Sequence, residues 1–172
     1  IFAMACGDTG SPQPPTPTTG FAQGPITQFG SIFVNGTKFD TDSADIVGGV
    51  INDDTRPLGQ VVVVEGEFDP NGTTGTATRV VFKSELKGPV ESVLPIMDGP
   101  VEVAKELTVL GTTVIVEDGY TAFEEGYSLA AILIDDIVEV SGLPNADGEI
   151  RATRIEKEGV SDGVTPDQVE LR

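Results

Sequence analysis

The chain has 172 residues, 28 acidic against ten basic for a formal charge of −18, with no histidine, no tryptophan and one cysteine. That balance repels phosphate backbones and anionic lipid surfaces and excludes nucleic-acid binding, which needs clustered Lys and Arg; no run reaches the ~18 apolar residues of a membrane span. The missing histidine removes the usual general base and the commonest transition-metal ligand, and one cysteine cannot form an internal disulfide, a thiolate zinc cluster or a haem-attachment pair.

Ile1-Phe2-Ala3-Met4-Ala5-Cys6 opens the chain without an initiator Met, which reads as removal of something upstream. Ala3-Met4-Ala5-Cys6 is an imperfect lipobox, the tail of a bacterial lipoprotein signal. Cys6 is therefore a candidate lipidation site, with a plain small buried residue as the other reading. Residues 7–20 are a Pro/Thr-rich arm, extended and unable to build a core of its own. Such an arm orders only against a surface, either a neighbouring subunit or its own domains.

Domain one is expected over 21–86. It opens on Gly24-Pro25-Ile26-Thr27, and 31–40 reads as a tight hairpin because Asn35-Gly36 supplies the two positive-φ positions of a type I′ turn. Residues 42–57 are polar and irregular. A central hairpin follows over 58–82, turning at Asp69-Pro70-Asn71-Gly72. Domain two, expected over 87–158, repeats this plan. Gly88-Pro89 answers Gly24-Pro25, Leu110-Gly111 answers Asn35-Gly36, and Gly142 answers Gly66. Its central hairpin, 134–156, returns with Ala152-Thr153-Arg154-Ile155 where domain one has Ala77-Thr78-Arg79-Val80. A hairpin made twice marks a duplicated small β domain. The offset between copies grows from 64 (25 to 89) to 75 (36 to 111), which places an insertion within 92–105. Residues 128–133 read as a short helix, apolar at Leu129, Ile132 and Leu133. In the tail, 159–172, Val169-Glu170-Leu171-Arg172 resembles Ser84-Glu85-Leu86-Lys87. It reads as an orphan strand that must close an existing barrel or pair with another chain.

The opening of domain one, the Val-rich run into Glu65-Gly66 and the stretch Gly148-Glu149-Ile150-Arg151-Ala152-Thr153-Arg154-Ile155 resemble a bacterial domain of unknown function found in tandem. The resemblance covers 24–158. It implies an all-β fold of two tandem small OB-like β-barrel domains, here with an extended N-terminal arm. It also implies a secreted or surface-lipoprotein setting, and it brings no catalytic or cofactor residues. The chain departs from it at Ile134-Asp135-Asp136, where the family usually has Val-Gly-Asp.

Few residues invite chemistry. Asp40, Asp42 and Asp45, with Asn52-Asp53-Asp54, are oxygen-rich enough to suggest Ca²⁺, but none matches the twelve-residue calcium loop, and solvated carboxylates are the expectation. Asp69-Pro70-Asn71-Gly72 and Asn145-Ala146-Asp147-Gly148 are explained by turn chemistry. Asp135-Asp136 and Glu124-Glu125 resemble a glycosidase acid/base pair only in composition, with Tyr120 and Tyr127 the sole tyrosines to build a platform. Asn35-Gly36-Thr37 and Asn71-Gly72-Thr73 fit the glycosylation pattern but sit at turns. Thr16, Thr18 and Thr19 are candidates for glycan decoration. The expectation is no enzyme, no cofactor, no metal and no catalytic residue.

The leading reading is a structural subunit of an extracellular filament or bacterial surface assembly. Ile1, Phe2, Ala3, Met4 and Ala5 would be donated to the next copy, and Val169 and Leu171 are further interface candidates, giving a head-to-tail homopolymer. The alternative is a monomeric surface module that meets the membrane only through a lipidated Cys6 and binds a protein or glycan.

Overall fold

The computed structural model describes residues 16–28, 31–49, 51 and 58–161, and the backbone of 170–171. Ile1, Phe2, Ala3, Met4, Ala5, Cys6 and Val169 lie outside the described residues, as do Asn52-Asp53-Asp54.

The chain is all-β and forms two β-barrel domains in tandem. Barrel one contains β1 (Thr18–Pro25), β2 (Ile32–Val34), β3 (Thr37–Asp40), β4 (Asp45–Val47), β5 (Val61–Phe68) and β6 (Thr74–Lys83). Barrel two contains β7 (Leu86–Asp98), β8 (Val101–Val109), β9 (Thr112–Glu117), β10 (Ala122–Phe123), β11 (Asp136–Pro144) and β12 (Ile150–Val160). In barrel two the ladder closes as β7-β8-β9-β12-β11 and back to β7, with β9 and β12 parallel. Barrel one has the same order, β3 and β6 being its parallel pair. Its β1 and β2 meet through the Thr27 N–H donating to the Phe33 carbonyl at 3.0 Å. The fourth strand of each copy also matches: β4 pairs parallel to β6, and β10 parallel to β12. The duplication in the sequence is thus a duplication of strand order.

Local chemistry explains the turns. Asn35 and Gly36 have φ of 50° and 82°, and Leu110 and Gly111 have 50° and 70°, the left-handed pair that a two-residue hairpin needs. The alternation of β5 and its neighbours sends Val62, Val64, Val80, Phe39 and Phe82 into the first core. Val90, Leu107, Val114, Val138, Val140 and Ile155 fill the second.

The repeated Ala-Thr-Arg is a β-bulge. Glu65 pairs with Arg79 and Gly66 with Ala77, so Thr78 has no opposite residue. Ser141 pairs with Arg154 and Gly142 with Ala152, leaving Thr153 in the same position. The extra residue bends the strand and re-aims its side chain. Each bulge threonine sets its hydroxyl against the strand opposite: Thr78 donates to the Glu65 carbonyl at 3.1 Å, and Thr153 Oγ1 lies 3.2 Å from the Ser141 carbonyl. The facing glycines follow from this geometry: a Cβ on Gly66 would overlap the Thr76 carbonyl, and one on Gly142 would lie 2.6 Å from the Arg151 carbonyl.

Three regions refine the sequence reading. The insertion within 92–105 lengthens one hairpin: β7 and β8 have 13 and nine residues where β1 and β2 have eight and three. The helix expected over 128–133 is a single 3₁₀ turn, Leu129–Ala131. It stops because the Leu133 N–H is taken by the Asp136 carboxylate at 3.0 Å and Ile132 is already extended. In the tail, β13 (Glu170–Leu171) pairs antiparallel with Lys87 and Leu86 of the same chain, so that backbone joins an existing barrel.

The barrels touch. Leu86 is already in the core of barrel two, and the Glu85 N–H donates to the Val140 carbonyl at 2.8 Å, so the connector is short and tied down. Ser141 donates to the Lys83 carbonyl at 3.2 Å. Thr153 donates to the Gly59 carbonyl at 2.5 Å and Arg154 to the Leu58 carbonyl at 3.0 Å.

Candidate functional site

The long β7–β8 hairpin creates a feature that barrel one lacks. Val93, Pro95 and Glu102 from the hairpin face Ile132, Leu133 and Ile134 from the loop before β11, and Lys105 lies between them. Lys105 is buried; its ammonium donates to the Ile132 carbonyl at 3.4 Å and pairs with Glu102 at 3.7 Å. The floor of this open groove is therefore a satisfied polar bridge between apolar walls. Leu133 and Ile134 are 63% and 56% exposed, and Leu94, Met97 and Val101 at the hairpin tip exceed 50%. With Ile96, they make six of the ten large apolar side chains exposed among the described residues, all on the hairpin or on the loop before β11.

The edge beside the groove is open as well. Leu86 to Pro89 of β7 pair with β11, whereas the outer half of β7 pairs with β8 alone among the described residues. Pro95 lies in this edge and has no N–H to offer, so recognition there falls mainly to side chains.

A buried ionic cluster fixes the loop. Asp136 is 2% exposed. Its carboxylate accepts from Lys157 Nζ at 2.5 Å, from the Tyr127 hydroxyl at 2.8 Å and from the Leu133 N–H at 3.0 Å. Burial pushes the Asp136 carboxyl up, but Lys157, the Leu133 N–H and Tyr127 together outweigh it and hold the group below its ordinary value. Burial, followed by the bond to Asp136, raises the Tyr127 hydroxyl. The cluster works as a clamp: it pins the loop that carries Leu133 and Ile134 to β12.

The acidic sequence motifs serve turns. Asp40 Oδ1 accepts the Asp42 N–H at 3.0 Å. Asp69 Oδ1 accepts from Thr73 at 2.9 Å, and Asn145 Oδ1 from Asp147 at 2.9 Å and Glu149 at 3.0 Å. Asn35 spends its amide on the Gln23 carbonyl at 2.8 Å. Among the described residues, no group of three or more Asp, Glu or Cys side chains is placed to hold a metal ion. Asp135 and Asp136 do not act as a pair: Asp136 faces inward and Asp135 lies exposed at φ 70°. Glu124 accepts the Lys157 N–H at 2.7 Å. Tyr120 stacks under Arg151 at 3.6 Å, and Arg151 forms a bidentate pair with Glu117 at 2.8 Å. Of the donor and interface candidates, Leu171 is placed by its backbone beside Leu86. The Asp136 cluster was missed in the sequence, where nothing marks that residues 9 and 21 positions away converge on it.

The second candidate surface is the contact between barrels, centred on Gly59. A Cβ there would overlap the Thr153 carbonyl and lie 3.0 Å from Ala122 Cβ. Gly59→Ala is expected to uncouple the barrels, removing two hydrogen bonds of about 1 kcal/mol each and adding about 1 kcal/mol of left-handed strain. Calorimetry should show one unfolding endotherm becoming two, whereas a single unshifted endotherm would contradict the contact.

Comparison with curated proteins finds no match, and comparison with solved structures finds none. One family profile matches twice, over residues 23–81 and 87–156, and these spans fall on barrel one and barrel two. With most of its length covered by two copies, each folded as one barrel, the chain belongs to the family described as Domain of unknown function (DUF5666).

Proposed function

We propose that this protein is a structural subunit of an extracellular filament or bacterial surface assembly, joined head-to-tail by its N-terminal segment. The closed five-strand order, with one parallel pair, supports reading each barrel as OB-like. Strong net negative charge disfavours oligonucleotides, the frequent ligands of such barrels.

The observation that carries the reading is the apolar groove at the β7–β8 hairpin, next to an open strand edge. Its occupant is the segment Ile1-Phe2-Ala3-Met4-Ala5 of a neighbouring copy. Charge favours this choice. Two bodies of a chain at −18 repel one another, whereas residues 1–20 carry one charged side chain, Asp8. Reach also permits it: the fifteen residues before Thr16 span about 50 Å when extended. Apolar side chains from the donated segment would fill the space between Pro95 and Leu133, and a contact made by one end of each copy on the body of the next propagates as an open polymer.

Deleting residues 1–15 leaves every strand among the described residues intact, because β1 begins at Thr18. The deletion is expected to abolish filaments in negative-stain microscopy while the circular dichroism of both barrels is unchanged. Filaments that persist after the deletion contradict the reading. The second reading rests on Ala3-Met4-Ala5-Cys6 and makes the protein a lipid-anchored surface module with residues 7–20 as its tether. Mass spectrometry of the mature N-terminus separates the two: acylated Cys6 supports the anchor, an unmodified Cys6 the assembly.

A further inference from the structure

Duplication gives the Gly59 turn and the face that receives it a second version, exposed among the described residues. The turn that barrel one presents, Leu58 and Gly59, corresponds to Ile134 and Asp135 in barrel two. Gly59 and Asp135 have φ of 80° and 70°. The Gly59 N–H donates to the Ile26 carbonyl, and the Asp135 N–H donates to the Val90 carbonyl, both at 2.9 Å. The receiving face of barrel two, formed by Ala122, Thr153 and Arg154, corresponds to Asp45, Thr78 and Arg79 in barrel one. Ladder register fixes this assignment, since Ala122 pairs with Arg154 and Asp45 with Arg79. The Ile134 turn is exposed, and the Arg79 side chain is 45% exposed, with pairs at 3.7 Å to Asp45 and 3.9 Å to Glu65.

A second copy could therefore seat its Ile134 turn on Thr78 and Arg79 and repeat, between molecules, the contact made within one. Leu58 is exchanged for another apolar residue, Ile134, and Ser141 corresponds to Glu65; two further positions carry an aspartate in the repeat. Where the working contact has Gly59 on the turn, the free turn has Asp135. Where the receiving face has Ala122, the free face has Asp45. These are also the positions without room: a Cβ at Gly59 overlaps the Thr153 carbonyl and presses on Ala122 Cβ. In the repeat, the Asp135 Cβ would overlap the Thr78 carbonyl, and its carboxylate would be driven towards that of Asp45. Steric overlap and like charge then reject the same partner.

We infer that Asp135 and Asp45 act together as a stop, preventing the barrel-to-barrel contact from repeating between copies of this chain. The turn itself accepts a side chain, as Asp135 demonstrates; the opposing carbonyl does not. Any joining of copies is thereby directed to other surfaces. The contact it blocks differs from donation of the N-terminal segment, although Ile134 belongs to both surfaces.

The test removes the stop in the full chain. Asp45→Ala combined with Asp135→Gly, followed by sedimentation velocity over a concentration series beside the wild type, should show self-association tightened at least about tenfold. Adding Arg79→Ala should reverse the gain. Both changes suit the fold, because glycine favours the positive φ at 135 and the Asp45 side chain is 71% exposed. A folded double variant that sediments like the wild type overturns the inference, as does a gain that survives Arg79→Ala. The converse pair, Gly59→Asp with Ala122→Asp, installs the stop in the working contact. Small-angle scattering should then show the barrels separating, and a profile as compact as that of the wild type also overturns the inference.

Discussion

Gly66→Ala is expected to unfold barrel one. At the bulge, the added Cβ would overlap the Thr76 carbonyl and crowd the Ala77 Cα, and both obstacles are backbone. A flexible side chain could swing away, but a carbonyl in a barrel ladder cannot move without breaking the pairing of β5 with β6. Forced overpacking costs about 1–3 kcal/mol and more where, as here, the obstacle is backbone, a large part of the ~5–15 kcal/mol that holds a small domain together. Gly142→Ala should do the same to barrel two, where the Cβ would meet the Arg151 carbonyl and Ile150 Cγ2, each at 2.6 Å. Gly72 and Gly148 provide controls. They have φ of 70° and 82° with nothing near the position of a Cβ, so alanine there costs about 1 kcal/mol of left-handed strain alone. Urea titration of the four variants tests the difference, and equal midpoints for Gly66→Ala and Gly72→Ala would refute the bulge as the cause.

Asp136→Ala is expected to destabilise barrel two by about 3 kcal/mol, because it leaves the Lys157 ammonium half-buried without its partner and strips acceptors from Tyr127 and the Leu133 N–H. The loop bearing Leu133 and Ile134 should loosen with it, visible as faster amide exchange at Leu133. Lys157→Met added to Asp136→Ala should recover part of the loss, since it removes the stranded charge. The sign of the pH dependence follows from the depressed carboxyl. Its contribution is fully present above the unfolded value near 3.8 and is lost as pH falls through the lower folded value. At the alkaline end, Tyr127 stays protonated in the folded state beyond its ordinary value of 10.0, so stability should fall as pH rises above it. Wild-type thermal scans should show both flanks, and Asp136→Ala should flatten the acid one.

These two changes act on different levels of the molecule. The bulge glycines decide whether a barrel closes at all. The Asp136 clamp decides whether a closed barrel holds its groove in shape. If copies join through the groove as proposed, that joining should be lost in Asp136→Ala before the barrel unfolds, whereas Gly142→Ala should remove both together.

Much of the fold could be read from residues in order, because it depends on rules acting over a few positions. Asn35-Gly36 turns because its φ values are left-handed, the Val runs alternate because a strand does, and Gly66 and Gly142 recur because a bulge recurs. The change in offset located the added hairpin. The site was less legible. Ala77-Thr78-Arg79 and Ala152-Thr153-Arg154 are the same three residues on the same bulge, yet one copy faces solvent and the other holds the neighbouring barrel. Nothing local distinguishes them; the neighbour does, through a glycine 94 positions from Thr153. Asp136 reads as one more surface acid in a chain rich in them, until folding brings Tyr127 and Lys157 to it. Sequence alone determined the duplication, the turns and the two cores, since backbone conformation and hydrophobic period are local. Only the tertiary structure decided which copy of each motif is covered and which is free, since that depends on contacts between segments far apart in the chain.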